Sequence, residues 1–122
     1  MTDTPPAILV LDDEALIGME LEALLQEAGY RVAGPAVDVQ ESLALIEEER
    51  LDGAVLDLNL NGERSDAVAD RLTALGIPFI YLTGHADAVI DERHRHAPVI
   101  PKPFDDRRLL KAVAQMSPAS PL

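Results

Sequence analysis

The sequence predicts an α/β fold: a three-layer, doubly wound sandwich with a five-stranded parallel sheet at its centre. Three observations predict it. Short apolar runs alternate with amphipathic stretches, the pattern of strand–helix units joined by right-handed crossovers. The runs ILVL ending at Leu11, AVL ending at Leu56 and FIYL ending at Leu82 are uniformly or nearly apolar, as suits strands buried on both faces. The chain has 122 residues, 48% of them hydrophobic, which suits one domain around one core.

Residues 1–6 read as a flexible leader, 7–116 as the folded domain, and 117–122, rich in Ser and Pro, as a flexible tail. Residues 7–11 form the first strand. The first helix covers 14–28, because Ile17, Leu21, Leu24, Leu25 and Ala28 recur on one stripe. Gly29 stops it. Residues 30–34 make a weaker second strand, which Pro35 assigns to a sheet edge. Asp38 and Glu41 have capping-box spacing and open a second helix, with Val39, Leu43 and Ile46 inward. The third strand covers 53–58 and is followed by the turn pair Asn61-Gly62.

Ser65 stands where it can cap a third helix, whose Val68, Leu72 and Leu75 form a stripe before Gly76. Residues 77–82 form the fourth strand. A fourth helix is expected over 86–97, although this stretch has few apolar residues and carries Glu-Arg-His-Arg-His in its second half. Residues 98–100 give a short fifth strand. Asp105 or Asp106 caps the last helix, with Leu109, Leu110, Val113 and Met116 inward. The expected strand order is the flavodoxin-like 2-1-3-4-5, with its switch point between strands one and three.

Four of these strands end in a chemical group. The first ends at Asp12-Asp13-Glu14, the third at Asp57, the fourth at Thr83 and the fifth at Lys102. In an open α/β sheet the strand ends at the switch point line the ligand crevice. An Asp-Asp pair alone is most often a solvated loop, and Lys102 alone an ordinary surface lysine. Their joint placement at strand ends argues for one site. Like charges 4 Å apart repel by about 4 kcal/mol at an effective dielectric near 20. A cation is therefore expected among Asp12, Asp13 and Asp57. All-oxygen ligands favour a hard divalent ion, and Mg²⁺ suits a site of a few carboxylates and a phosphate. Asp57 reads as a carboxylate nucleophile toward a phosphoryl group, with Lys102 and Thr83 placed to bind the phosphoryl oxygens.

The motifs L-D-D-E, V-L-D-L-N, L-T-G and P-K-P-F, in this order, resemble those of response regulator receiver domains of two-component signalling, over residues 7–116. The resemblance implies that Asp57 is the phosphoacceptor, that Asp12, Asp13, Asp57 and the backbone carbonyl of Asn59 hold Mg²⁺, and that Lys102 binds phosphate. It also implies that Thr83 is the switch hydroxyl and that Lys102-Pro103 is a cis peptide. Receivers commonly carry Tyr or Phe three residues before that lysine, whereas this chain has Val99 there. Tyr81 lies two residues before Thr83 on the same strand face, so the switch is expected to involve Thr83, Tyr81 and Val99 without the usual aromatic partner. His85 is a candidate for tuning the phosphoryl lifetime, while His94 and His96 read as solvated surface histidines.

The resulting expectation is a single-domain response regulator. It takes a phosphoryl group from a histidine kinase, of the HWE or a related class, or from a histidine phosphotransfer protein. It then signals through a downstream protein or serves as a phosphate sink. It is not a metabolic enzyme: phosphatases that form an aspartyl-phosphate usually present D-x-D-x-T, and this chain has Asp57-Leu-Asn59-Leu. A receiver-like binding module that is never phosphorylated is the other alternative, opposed by the intact acids, Thr83 and Lys102. Only 10 Lys plus Arg stand against 22 acids, a net charge of −12, which argues against nucleic acid and anionic membranes as partners. There is no cysteine and no run of about 20 apolar residues, so a cytoplasmic protein is the expectation.

Overall fold

The computed structural model describes residues 4–85 and 89–116. Nine elements build the sandwich: β1 (Ala7–Leu11), α1 (Ala15–Glu27), β2 (Arg31–Ala36), α2 (Val39–Glu48), β3 (Gly53–Asp57), then α3 (Asp66–Ala74), β6 (Phe79–Thr83) and β7 (Val99–Pro101), closed by α4 (Asp106–Met116). Between β3 and α3 a small antiparallel hairpin pairs β4 (Asn59–Leu60) with β5 (Glu63–Arg64). The main sheet runs β2-β1-β3-β6-β7 and is parallel throughout. Counted along the chain, its five strands have the expected order 2-1-3-4-5.

Alternation along each strand divides the core between the two sheet faces. Leu9, Leu11, Leu56 and Tyr81 pack with Val68 and Leu72 of α3 and Ile46 of α2. Ile8, Val10, Val55, Ile80 and Leu82 pack with Leu21 and Leu25 of α1 and Leu109 and Val113 of α4. Among the described residues no helix is long and apolar enough to cross a membrane.

Local chemistry sets the helix ends. The Asp38 side chain accepts from Glu41 N at 2.8 Å, and the Glu41 carboxylate accepts from Val37 N at 2.9 Å. Asp105 accepts from the amides of Arg107 and Arg108 and so starts α4. Ser65 stands at the start of α3 but does not cap it, because its hydroxyl is buried and lies 3.3 Å from the Leu58 carbonyl. Leu75, expected inward, is 46% exposed because α3 ends at Ala74.

The expected fourth helix is not formed over residues 89–97. That stretch contains only a 3₁₀ turn, Glu92–His94, while 86–88 lie outside the described residues. The turn outcompetes a helix through its own contacts. Asp91 accepts from Arg93 N at 2.9 Å and from the Arg93 guanidinium at 3.0 Å, and Ala97 N donates to the His94 carbonyl before Pro98. His94, expected in solvent, is 1% exposed.

β2 is an edge strand with a bend that serves the site. Its register with β1 shifts between Leu9 and Leu11, where Gly34 has φ +97° and the Gly34-Pro35 peptide is cis. The bend brings the Ala36 carbonyl to accept from Asp12 N at 3.0 Å. A Cβ on Gly34 would sit 2.6 Å from Ala36 N and 3.0 Å from the Val10 carbonyl, all backbone that cannot yield. Gly34→Ala should therefore cost about 2 kcal/mol or more in chemical denaturation, combining positive-φ strain with the clash. Gly62→Ala, also at positive φ but with open space around it, should cost about 1 kcal/mol. Equal costs at the two positions would contradict the role given to the bend.

Candidate functional site

The carboxyl ends of β1, β3, β6 and β7 open into a crevice of about 300 Å³ lined by Asp13, Glu14, Asp57, Asn59, Thr83 and Lys102, with Asn61, Gly84 and His85 at its edge. Asp12 lies behind it, fully buried. Backbone bonds fix the strand ends against one another: Leu58 N donates to the Leu82 carbonyl, and Lys102 N donates to the Thr83 carbonyl at 2.8 Å. The Lys102-Pro103 peptide is cis, as the resemblance implied.

Asp12, Asp13 and Asp57 converge so that one carboxylate oxygen of each lies within 4.8 Å of the others. Asp12 spends Oδ1 on the Glu14 amide at 2.8 Å. Its Oδ2 lies 2.9 Å from Lys102 Nζ, close enough for an ion pair but without hydrogen-bond alignment, so this buried oxygen has no hydrogen-bond partner. Lys102 also reaches Asp57 Oδ2 at 3.3 Å and Glu14 Oε1 at 3.4 Å. One ammonium thus serves three carboxylates, and Asp13 adds a fourth to the crevice. The oxygen-only donor set and the orphaned Asp12 Oδ2 fit a hard divalent cation.

These surroundings shift the ionisation of the site. Burial first, and then the Asp12 carboxylate, push the Asp57 carboxyl from 3.8 up to about 7, against the opposing pull of Lys102. Burial would depress the Lys102 ammonium, but Asp12 and Asp57 outweigh it and hold it above its ordinary value.

The Thr83 hydroxyl is occupied locally, accepting from His85 N at 3.1 Å with the His85 carbonyl 3.3 Å away. His85 is among the residues that line the crevice. Tyr81 is fully buried, on the same face as Thr83. Its hydroxyl has no hydrogen-bond partner among the described residues, and burial pushes its pKa well above the ordinary tyrosine range, keeping it neutral. Val99 pairs with Tyr81 in the sheet register and is 38% exposed. Glu14, which ends the acidic triplet in the sequence, emerges as a partner of Lys102, a contact between residues 88 apart in the chain.

Residues 8–114 match the family model of the response regulator receiver domain. The phyllosphere-induced regulator PhyR of Methylorubrum extorquens is 33% identical over 117 residues, covering 93% of this chain and 44% of that protein. The chain spans about half the length of the curated relatives it matches. The solution structure of SdrG from Sphingomonas melonis Fr1 superposes with a TM-score of 0.82 at 39% identity, covering 94% of this chain and 98% of that one. A solution structure of the BeF3-activated conformation of SdrG gives a TM-score of 0.76 at 38% identity, covering 93% and 97%.

The raised Asp57 value has a signed consequence. The fold favours the protonated carboxyl, so its stabilisation is complete below about pH 4 and is lost as pH rises through about 7. Without divalent metal, Asp57→Asn should therefore be more stable than the parent at pH 8, by on the order of 1–3 kcal/mol, and the gap should close toward pH 4. Denaturation series in chelator at both pH values measure this, and parallel stability–pH curves for the two proteins would contradict it.

Proposed function

The chain belongs to the response regulator receiver domain family, and on that premise we propose that it accepts a phosphoryl group onto Asp57 with Mg²⁺, from a histidine kinase or a histidine phosphotransfer protein. The observation that carries the reading is the convergence of Asp12, Asp13 and Asp57 beside Lys102 at the strand ends. The named relatives are regulators, and signalling rather than metabolic turnover is the role assigned to this chain.

Each residue has a part in the transfer. An Asp57 carboxylate oxygen attacks the phosphorus of a phosphohistidine, forming a P–O bond as the P–N bond breaks and the imidazole departs. Asp12, Asp13, Asp57 and the Asn59 backbone carbonyl would hold Mg²⁺, which when bound neutralises charge on the phosphoryl oxygens. Lys102, now shared among carboxylates, turns to a phosphoryl oxygen, and the Thr83 hydroxyl donates to another after leaving His85. His85, at the crevice edge, tunes the lifetime of the phosphoryl group. Thr83, with Tyr81 and Val99 and without the usual aromatic partner, forms the switch, and a downstream protein reads the change. A kinase of the HWE or a related class is the partner proposed, in the cytoplasm, with no nucleic acid or membrane contact.

Incubation with a small acyl phosphate and Mg²⁺ should add one acid-stable, base-labile phosphoryl group, absent in Asp57→Asn by mass spectrometry. Asp13→Asn should weaken Mg²⁺ binding by at least about tenfold, since even groups that only orient a metal ligand contribute that much. Equal labelling of parent and Asp57→Asn would overturn the assignment.

A further inference from the structure

Resting on the receiver reading, we propose that Asp70 is a positioning residue for Thr83: its carboxylate latches the segment 89–97 onto α3 and keeps the exit of β6 in the arrangement that occupies the Thr83 hydroxyl. Asp70 belongs to neither the carboxylate cluster nor the crevice lining. Its Oδ1 instead meets two groups of the segment. His94 Nε2 lies 2.7 Å away and Arg93 Nη1 3.0 Å.

His94 is the anchor. It is buried, and its ring meets the edge of Phe79 on β6 with centroids 5.6 Å apart. Its Nδ1 has no hydrogen-bond partner among the described residues, so the polar tie of this imidazole to the fold runs through Asp70. A second tie lies upstream, where Arg64, paired with Asp66 at 2.8 Å, donates to the Val89 carbonyl at 2.9 Å. Both ties run to α3 or to the residues just before it. Beside the packing of Ile90 and Ala97 on the core, these are two polar ties of the segment, and the Asp70 tie is the one that joins a buried side chain.

The latch bears on β6, the strand that ends at Thr83, because His94 packs on Phe79. The Thr83 hydroxyl is closed on the backbone of His85. To reach a phosphoryl oxygen on Asp57 it must give up that contact and shift the end of β6, the strand on which His94 packs through Phe79. The latch opposes the move. The latched and released arrangements therefore differ in phosphoryl affinity, and weakening the latch shifts the population toward the state that binds phosphoryl better. The Asp70 side chain is itself 43% exposed, so its removal opens no core cavity and acts through the partners it leaves behind, His94 and Arg93.

The test uses Asp70→Ala in the full chain, with beryllium fluoride and Mg²⁺ as the phosphoryl mimic. Amide exchange in residues 92–97 should accelerate about tenfold while α1 is unchanged. Affinity for the mimic should tighten by about three- to tenfold. Asp70→Asn, which keeps an acceptor for His94 but drops the charge facing Arg93, should move both readouts in the same direction by less. A merely destabilising substitution would weaken mimic binding, so tighter binding separates positioning from general loosening. Unchanged exchange in 92–97, or mimic affinity that is equal or weaker in Asp70→Ala, would overturn the proposal. Failure of the parent itself to bind the mimic would sink the receiver chemistry and the coupling with it, and is recognised because parent and variant then fail alike.

Discussion

Lys102 Nζ stands 2.9 Å from Asp12, 3.3 Å from Asp57 and 3.4 Å from Glu14, and this single cation does not balance the carboxylates around it. The rest of the crevice answers to that imbalance. Asp12 is fully buried with one oxygen unpartnered, and the Asp57 carboxyl is pushed up to about 7. Two charges about 4 Å apart at an effective dielectric near 20 are worth about 4 kcal/mol, enough to dominate any single hydrogen bond in the site. This charge pattern favours a divalent cation, which with Lys102 would offset the charge of the proposed phosphoryl group.

The sheet imposes the imbalance because it fixes the strand ends rigidly. Asp12 is tied through its amide to the bend in β2, and Lys102 through its amide to the end of β6. Both faces of the sheet are covered by helices, so the strands cannot splay to relieve the repulsion. The contrast lies in residues 89–97, which follow β6 in the chain. There the expected helix gives way to a short turn held by polar contacts to the neighbourhood of α3. A rigid, charge-strained site thus adjoins a segment fastened by a few replaceable contacts, an arrangement in which a local charge change can become a positional one.

Much of this was legible in the sequence. The buried strands announce themselves as apolar runs, and the rule that ligands bind beyond strand ends at a switch point brought Asp12, Asp13, Asp57, Thr83 and Lys102 together before any coordinates. The β4–β5 hairpin was visible only as the turn Asn61-Gly62, because two-residue strands carry no periodic signal. The burial of His94 was not legible, since it depends on Asp70, 24 residues earlier, and on the ring of Phe79. The same tertiary contacts, added to sparse apolar spacing, decided against a helix there. The Lys102–Glu14 contact is not legible in the sequence, because it joins residues 88 apart that only the fold brings together. The cis peptide at Lys102-Pro103 followed from family resemblance, whereas nothing in the sequence pointed to the one at Gly34-Pro35.

The central claim is that the crevice is a charge-strained carboxylate site completed by a divalent cation. Carbon-13 NMR titration of the Asp57 carboxyl tests it most directly, with and without Mg²⁺. The account predicts a midpoint near 7 in metal-free protein and a fall of at least about one unit when Mg²⁺ is saturating. A metal-free Asp57 that titrates in the ordinary carboxylate range, and does not respond to Mg²⁺, would contradict it.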